Sequence, residues 1–404
     1  MHTEHADLIP RQDAVDRVRS FRKSALEDRE THSVTIDVID GHTLAQDIVA
    51  DSDRPPRSFA TMDGFAFDAD GSYPYHLVDR SVYPEDDPDP IDSGEAIRIS
   101  TGAPLPPGAN AVLKREEATV DDDQLQGAAI APGTYTYEQG SNMEAGDVLF
   151  EAGERLTPKD ALLLGDLGYD SVTVYRPFSV GLLATGTEIH EGKIRDLDSP
   201  MLAGLIQSWG HTVTNEGTVP DDLPVVEERI AELATKHDVV MTTGGTSVGK
   251  KDYVLTALDS LGTIDFHRVS IRPGKPIAFA SLPDYDAIGI AIPGKPIGAH
   301  TIAGFVARPF FCGQIEFPTV PATLERRIGI DTAGFEYVIP VSLDDGAAFP
   351  LGHVDSPLAI YDDTFDPSVL SSSTRATRAD GVIITETPIA AGEAVDVIPY
   401  SAIE

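Results

Sequence analysis

The chain has 404 residues, with 30 Lys and Arg against 66 Asp and Glu, a formal charge of −36 at pH 7. That field repels polyanions and so excludes nucleic acid and anionic membrane as partners. A 41% apolar content spread through periodic segments excludes a disordered chain, and the length requires two to four domains.

Cys312 is the sole cysteine, so neither an intrachain disulfide nor a Cys-built metal site can form. It reads as a small apolar filler beside Phe310 and Phe311. Only nine of the basic residues are Lys, and none follows Lys295. An acidic, Lys-poor surface suits a salt-rich cytosol, where screening relieves self-repulsion. The N-terminus carries no signal-peptide core and no apolar run is long enough to span a membrane, so a cytoplasmic protein is expected.

In chain order, residues 13–26 place Ala14, Val18, Phe21 and Leu26 on one helical stripe, with Asp13 as the expected N-cap. Residues 33–39 and 43–50 are expected to be extended, and Pro55-Pro56 marks an irregular link. Asp63 before Gly64 is a turn signal whose plain meaning is an Asx-turn. From 68 to 149 no helix is expected. Short β-like runs (96–100, 111–114) alternate with Pro, Gly and Asp clusters, as in a small inserted β domain. Within it lies the rigid loop Ser100-Thr101-Gly102-Ala103-Pro104. Residues 156–167 are expected to be a helix opened by Thr157-Pro158.

From Phe178 the texture changes. Residues 180–184 form a buried strand ending in Thr185-Gly186-Thr187-Glu188. Ser199-Pro200 is expected to cap a helix that closes at Trp209-Gly210. An extended 211–219 leads to Pro220-Asp221-Asp222, and 225–234 is helical. Next comes DVVMTTGGTSVGKKDYV, residues 238–254: a strand, a turn rich in glycine and hydroxyls, then the start of a helix ended by Gly262. This βαβ alternation predicts a three-layer α/β domain with a mostly parallel sheet. Its ligand crevice should lie beyond the carboxyl ends of the strands, where 185–188, 220–222 and 242–252 converge. Thr243, Gly244, Gly245, Ser247, Gly249 and Lys250 there are expected to make an anion site, with glycines for close approach, hydroxyls to donate and the Lys pair for charge; an ordinary βα loop with solvated lysines is the alternative.

Pro273-Gly274-Lys275-Pro276-Ile277 is echoed by Pro293-Gly294-Lys295-Pro296-Ile297 after the strand 287–292. Nothing around the two repeats, so the echo is read as shared turn chemistry. A helix is expected over 297–311, and beyond Phe317 only strand and turn. Across 239–300 six basic residues (Lys250, Lys251, Arg268, Arg272, Lys275, Lys295) face five acidic ones, and four of the nine lysines fall in this window. A cationic focus in so acidic a chain points to an anionic substrate. Asp63, Asp221 and Asp252 sit in glycine- or proline-bounded loops. Beside an anion site such carboxylates imply a divalent cation, Mg2+; turn and cap chemistry is the alternative. No His cluster has ligand spacing, and there is no Walker loop, G-x-G-x-x-G or G-x-S-x-G element.

The runs SFATMDGFA, STGAPLPPGANAV, ATGTEI, VPDD, TTGGTSVGKKDYV, HRVSIRPGKPIAF and IPGKPIGA, in this order, resemble the molybdopterin molybdenumtransferase family, which includes the E domain of gephyrin. The likeness covers nearly the whole chain. It implies an N-terminal linker and dimerisation domain (1–50 with 150–177), an inserted β domain (51–149), an α/β molybdopterin-binding domain (178–312) and a C-terminal β domain (313–404), assembled as a homodimer. The implied reaction inserts molybdate, or tungstate, into adenylylated molybdopterin and releases AMP with Mg2+. By motif, Asp63 and Thr101 line the partner side of the site. Glu188, Asp221 and Asp252 serve substrate, molybdate or metal positioning; with Asp63 they are the expected catalytic residues, and the loop carboxylates Asp63, Asp221 and Asp252 are the expected metal ligands. Arg268, Arg272 and Lys275 hold the substrate, and Lys295, outside the family motif, is expected to join them.

The chain departs from the family pattern at three places. Asn142 replaces an acidic residue, Lys295 replaces the Asn of Pro-Gly-Asn-Pro, and Tyr337 stands for an arginine. Two alternatives therefore stay open: a non-catalytic paralogue that binds and delivers molybdopterin, and a molybdopterin adenylyltransferase. A molybdopterin adenylyltransferase and apo-molybdoenzymes are the protein partners the resemblance implies.

Overall fold

Helix α1 (Arg11–Glu27) turns Ala14, Val15, Val18 and Leu26 inward, as its apolar stripe requires. It starts two residues before the expected cap. Pro10 is the N-cap and Asp13 lies in the first turn, where a carboxylate still favours the helix dipole. The computed structural model describes residues 8–245, 252–330, 332–351 and 364–404. These fall into two units, one of Met1–Ala45, Gly153–Gly165 and Tyr169–Glu404, the other of Gln46–Ala152 and Asp166–Gly168. In the first unit, strand β1 (Thr31–Thr35) stops earlier than expected because residues 36–38 wind into a 3-10 turn.

The stretch Gln46–Ala152 of the second unit contains no α-helix. Its six-stranded sheet consists of β2 (Gly64–Phe67), β3 (Tyr75–Val82), β4 (Glu95–Ile99), β5 (Ala111–Lys114), β6 (Thr119–Asp121) and β7 (Gln124–Gln126), in the order β5-β2-β4-β3-β7-β6. Successive side chains serve opposite faces. Ala66, Ile97 and Val112 build one core, and Phe65, Phe67, Leu113 and Leu125 build the other.

Back in the first unit, helix α2 (Asp160–Asp166) begins later than Thr157-Pro158 suggests. The Asp160 carboxylate folds back onto the Thr157 amide and hydroxyl, both at 2.7 Å, which keeps Thr157 outside the helix. Strand β8 (Ser171–Tyr175) pairs antiparallel with β1.

The α/β part follows as β9 (Ser179–Thr185), α3 (Thr187–His190), α4 (Asp198–Ser208), β10 (Thr212–Val219), α5 (Leu223–Ala234), β11 (Val239–Thr243), α6 (Tyr253–Leu261), β12 (Thr263–His267), β13 (Ile271–Arg272), β14 (Ala278–Leu282) and β15 (Ala287–Ile292). The sheet order is β10-β9-β11-β15-β14-β12. The first four strands are parallel, and β14 and β12 add antiparallel. Strand β11 is buried at every position because helices cover both faces. The expected N-terminus needs correction at two helices. Asp196, not Ser199, caps α4 by accepting the amides of Asp198 and Ser199 at 3.1 and 3.0 Å. Asp222 caps α5, which starts at Leu223.

The helix expected over 297–311 is three pieces, α7 (Pro296–Ile302), a π turn over Ala303–Ala307, and α8 (Arg308–Cys312). All three are buried in the main core together with Cys312. Strands β16 (Val320–Leu324), β17 (Glu336–Asp344), β18 (Ala347–Pro350), β19 (Gly381–Thr385) and β20 (Ala394–Pro399) follow, and pairing of β17 with β19 closes this sheet on itself. Contrary to the expectation of strand and turn alone, a single helical turn, Pro367–Leu370, forms because Asp366 caps it, and a 3-10 segment spans Thr374–Arg378. No helix among the described residues is long and apolar enough to cross a membrane.

Candidate active site

Three of the expected loops meet at the carboxyl edge of the parallel strands. Beyond β9 and β10, the Thr187 amide donates to Asp221 Oδ2 at 3.2 Å, and the Asp221 amide donates to Thr187 Oγ1 at 3.1 Å. Beyond β11, the Gly244 amide donates to the Ile292 carbonyl at the end of β15, at 3.1 Å. Gly244 and Gly245 adopt φ of +88° and +66°, a region that side chains rarely enter. A Cβ on Gly294 would lie 2.9 Å from the Gly244 Cα, so the two loops touch backbone to backbone. Ser247, Gly249 and Lys250 lie outside the described residues.

The two Pro-Gly-Lys-Pro loops, which the sequence offers only as an echo, form facing walls of one cleft of about 550 Å³. Gly244 and Gly245 join them, with Ser368 and Ser371 from the C-terminal segment. Arg272, Lys275 and Lys295 line this cleft. The Arg272 guanidinium lies 3.9 Å from the centre of the Phe335 ring, and Lys275 Nζ lies 5.8 Å from it. The ring thus orients two cations without spending their hydrogen-bond donors.

Asp252 stands at the N-terminus of α6, but its side chain does not cap the helix. Its carbonyl instead accepts the Thr256 amide and hydroxyl. Asp252 Oδ1 is buried and has no hydrogen-bond partner among the described residues. Burial pushes the carboxyl up to about 6, and Arg268 pulls it the other way. Arg268 itself holds a left-handed backbone, φ +74°, which costs of order 1 kcal/mol in a residue with a Cβ. Its amide is fixed on the Ile277 carbonyl at 2.9 Å.

The remaining candidates fall elsewhere. Glu188 is exposed on α3. Thr243 is 2% exposed and its hydroxyl donates to Asp198, so it supports the glycine turn from inside. Asp63 and Thr101 belong to the second unit. There Thr101 donates to Asp63 from amide and hydroxyl, and these two bonds, with a smaller effect of Arg115, hold the exposed Asp63 carboxyl below its usual value. This is a bridge between two loops in place of an Asx-turn. Asn142 is exposed, with its amide on the Arg54 carbonyl. Tyr337 is fully buried and donates to the Thr332 carbonyl at 2.9 Å, so it is part of the C-terminal core. Sequence reasoning missed Asp198 and Phe335. The pair Asp196-x-Asp198 before Ser-Pro was the available signal for the first, and Phe335 had none.

Residues 9–168 match the family model described as "MoeA N-terminal region (domain I and II)", and 181–312 match the one described as "Probable molybdopterin binding domain". The molybdopterin molybdenumtransferase of Synechococcus elongatus is 33% identical over 293 residues, which cover 66% of this chain and 71% of that protein. The chain belongs to the molybdopterin molybdenumtransferase family. A second molybdopterin molybdenumtransferase, from Haemophilus influenzae, is 31% identical over 276 residues, 63% of this chain and 66% of its own length. Among solved structures, a molybdopterin biosynthesis MoeA protein from Pyrococcus horikoshii superposes with a TM-score of 0.65 at 26% identity, covering 97% of this chain and 99% of that one. A further structure of the MoeA protein from Pyrococcus horikoshii reaches 0.73 at 24% identity, covers 97% of this chain and 100% of that one, and speaks for the fold alone. For the molybdopterin molybdenumtransferase family the matched regions take in both the Asp63–Thr101 bridge and the strand-end crevice.

Proposed function

We propose that this chain inserts molybdenum, as molybdate or tungstate, into adenylylated molybdopterin and releases AMP. The observation that carries the reading is the cleft shared by Arg272, Lys275 and Lys295, a cationic focus in a chain of charge −36, set at the strand ends of a family member. The backbone amides of the Gly244-Gly245 turn and the three cations would hold the substrate's anionic groups. Asp252, Asp221 and Glu188 would position the reacting oxygens, and Arg268 would balance the charge on Asp252.

Mg2+ belongs to this proposal. Asp252, with a buried and unpartnered Oδ1 among the described residues, and Asp221 fit the usual arrangement of one or two carboxylates completed by substrate phosphates. Among the described residues no three acidic, His or Cys side chains come together as a metal site, and Asp63 Oδ1 is engaged by Thr101. The ion would supply charge neutralisation at the phosphoanhydride. A homodimer, a cytoplasmic location, and exchange with a molybdopterin adenylyltransferase and apo-molybdoenzymes complete the proposal.

The test is incubation of the purified protein with adenylylated molybdopterin and either molybdate or tungstate, assaying AMP and active cofactor. AMP released in step with active cofactor is the expected result, with Asp252→Ala reducing it at least 100-fold while leaving the folded protein intact. Binding without AMP release would favour a delivery paralogue, which the exposed Lys295 in the cleft would suit. Consumption of ATP would indicate an adenylyltransferase.

A further inference from the structure

The glycine turn after β11 stands on a buried carboxylate. Because Asp196 caps α4, Asp198 at the first position of the helix is free for another task. Its Oδ2 accepts the Thr243 hydroxyl at 3.0 Å, with Asp198 6% and Thr243 2% exposed. The Thr243 carbonyl accepts the Thr185 hydroxyl at 3.3 Å. The next amide, Gly244, reaches the Ile292 carbonyl. The last residue of β11 is therefore tied to α4 by its side chain and to the end of β9 by its carbonyl, and its neighbour Gly244 is tied to the end of β15. All of this happens where the chain enters its left-handed turn. A Cβ on Gly244 would meet the Thr185 carbonyl oxygen at 2.5 Å, so little slack remains.

This anchor is expensive for a space-filling role. Asp198 Oδ1 and the fully buried Ser199 Oγ have no hydrogen-bond partner among the described residues. A buried carboxylate oxygen without a partner opposes folding, and an apolar side chain would fill the same volume without that cost. What a carboxylate adds is an acceptor with no competing donor. It fixes the direction of the Thr243 proton and makes the bond charge-assisted.

We propose that Asp198 is a positioning residue. Through Thr243 it holds the Gly244-Gly245 turn in the conformation that receives the substrate's anionic group. The role of the turn rests on the function proposed above; the clamp itself does not.

Two measurements separate these. Amide hydrogen exchange on the ligand-free full-length protein reads the clamp. Asp198→Leu and Thr243→Val should each speed exchange at the Gly244 amide tenfold or more. Asp198→Asn and Thr243→Ser, which keep an acceptor or a hydroxyl, should stay within threefold of the parent, as should Ile339 and Val341, which pack in the separate core of the C-terminal sheet, in every variant. Unchanged exchange at Gly244 in both Asp198→Leu and Thr243→Val overturns the proposal. Steady-state kinetics read the consequence. The same two variants should raise KM for adenylylated molybdopterin tenfold or more with kcat changed less than threefold, and the two conservative variants should restore KM. A kcat loss at unchanged KM would overturn the positioning role. Absence of turnover in the parent protein would defeat the proposed function while leaving the exchange result to decide the clamp.

Discussion

Thr101 donates twice to the same oxygen of Asp63, from its amide at 2.7 Å and its hydroxyl at 2.8 Å. Both bonds favour the ionised carboxylate, the amide more than the hydroxyl. Asp63 is thereby kept as an anion with a fixed orientation even though both residues are exposed. Thr101→Val keeps the amide and deletes the hydroxyl. The Asp63 carboxyl should then titrate closer to its ordinary 3.8, followed by carboxyl NMR, and turnover should fall roughly tenfold through lost orientation. Thr101→Ser should retain both properties. An Asp63 titration unmoved by Thr101→Val would show that the amide alone suffices.

Asp198 gives a stability prediction of opposite sign from most site mutations. Burial raises its carboxyl to about 6 from 3.8, the nearby Asp196 adds to the rise, and the Thr243 bond opposes it. A carboxyl raised on folding carries no penalty below its unfolded value; the penalty grows as pH climbs from there and is complete above the folded value. The two-unit difference amounts to about 3 kcal/mol at full ionisation. Asp198→Asn should therefore melt at a higher temperature than the parent at pH 8, with the advantage shrinking between pH 6.5 and 4. Melting curves that differ equally at both ends of that range would rule out the buried charge as the cause.

What the sequence made legible follows from the same physics. The runs 180–184, 239–241 and 287–292 are apolar at every position because helices cover both sheet faces, and a run of that kind announces itself without tertiary knowledge. The glycine pair at 244–245 likewise marks a left-handed turn on its own. Asp196 and Asp198 could not be ranked as cap and clamp from sequence, since either can cap a helix, and only the position of Thr243 across the sheet separates them. The two Pro-Gly-Lys-Pro loops share a cleft because β14 and β15 pair antiparallel, which sets the start of β14 beside the end of β15. Phe335, under Arg272, comes from another part of the chain altogether. Asp13 failed as a cap because Pro10 already fixes the chain at the start of α1.

The stacking of Arg272 on Phe335 makes a prediction about anion affinity. Phe335 is 8% exposed, so Phe335→Leu conserves most of its packing while removing the π face. A half-buried cation–π pair contributes about 1 kcal/mol, and losing it should weaken binding of molybdate or inorganic phosphate about fivefold by calorimetry at low salt. Lys295→Ala should also weaken binding, and in addition flatten its dependence on salt, because Lys295 is exposed and acts as a screened charge. Equal salt slopes for parent and Lys295→Ala would place the anion elsewhere.

Two glycines within one domain should respond to alanine in opposite ways. Gly204 lies in the middle of α4, is exposed, and a Cβ there would meet nothing within 4 Å. Alanine at that position narrows the unfolded ensemble and suits the helix, so Gly204→Ala should stabilise by about 0.5–1 kcal/mol. Gly244 differs in both respects, with φ +88° and a Cβ position 2.5 Å from the Thr185 carbonyl oxygen. The clash involves backbone, which cannot rotate away. Gly244→Ala must therefore shift the turn, break the bond to the Ile292 carbonyl, or both, at a cost of roughly 1–3 kcal/mol. Denaturant titration at pH 7 would show the two midpoints moving apart. The Gly244 variant should lose substrate affinity in the same samples, because the displaced segment is the turn that Asp198 and Thr243 hold in place. A Gly244→Ala protein with parental stability and affinity would mean that the turn has room the carbonyl of Thr185 does not leave it.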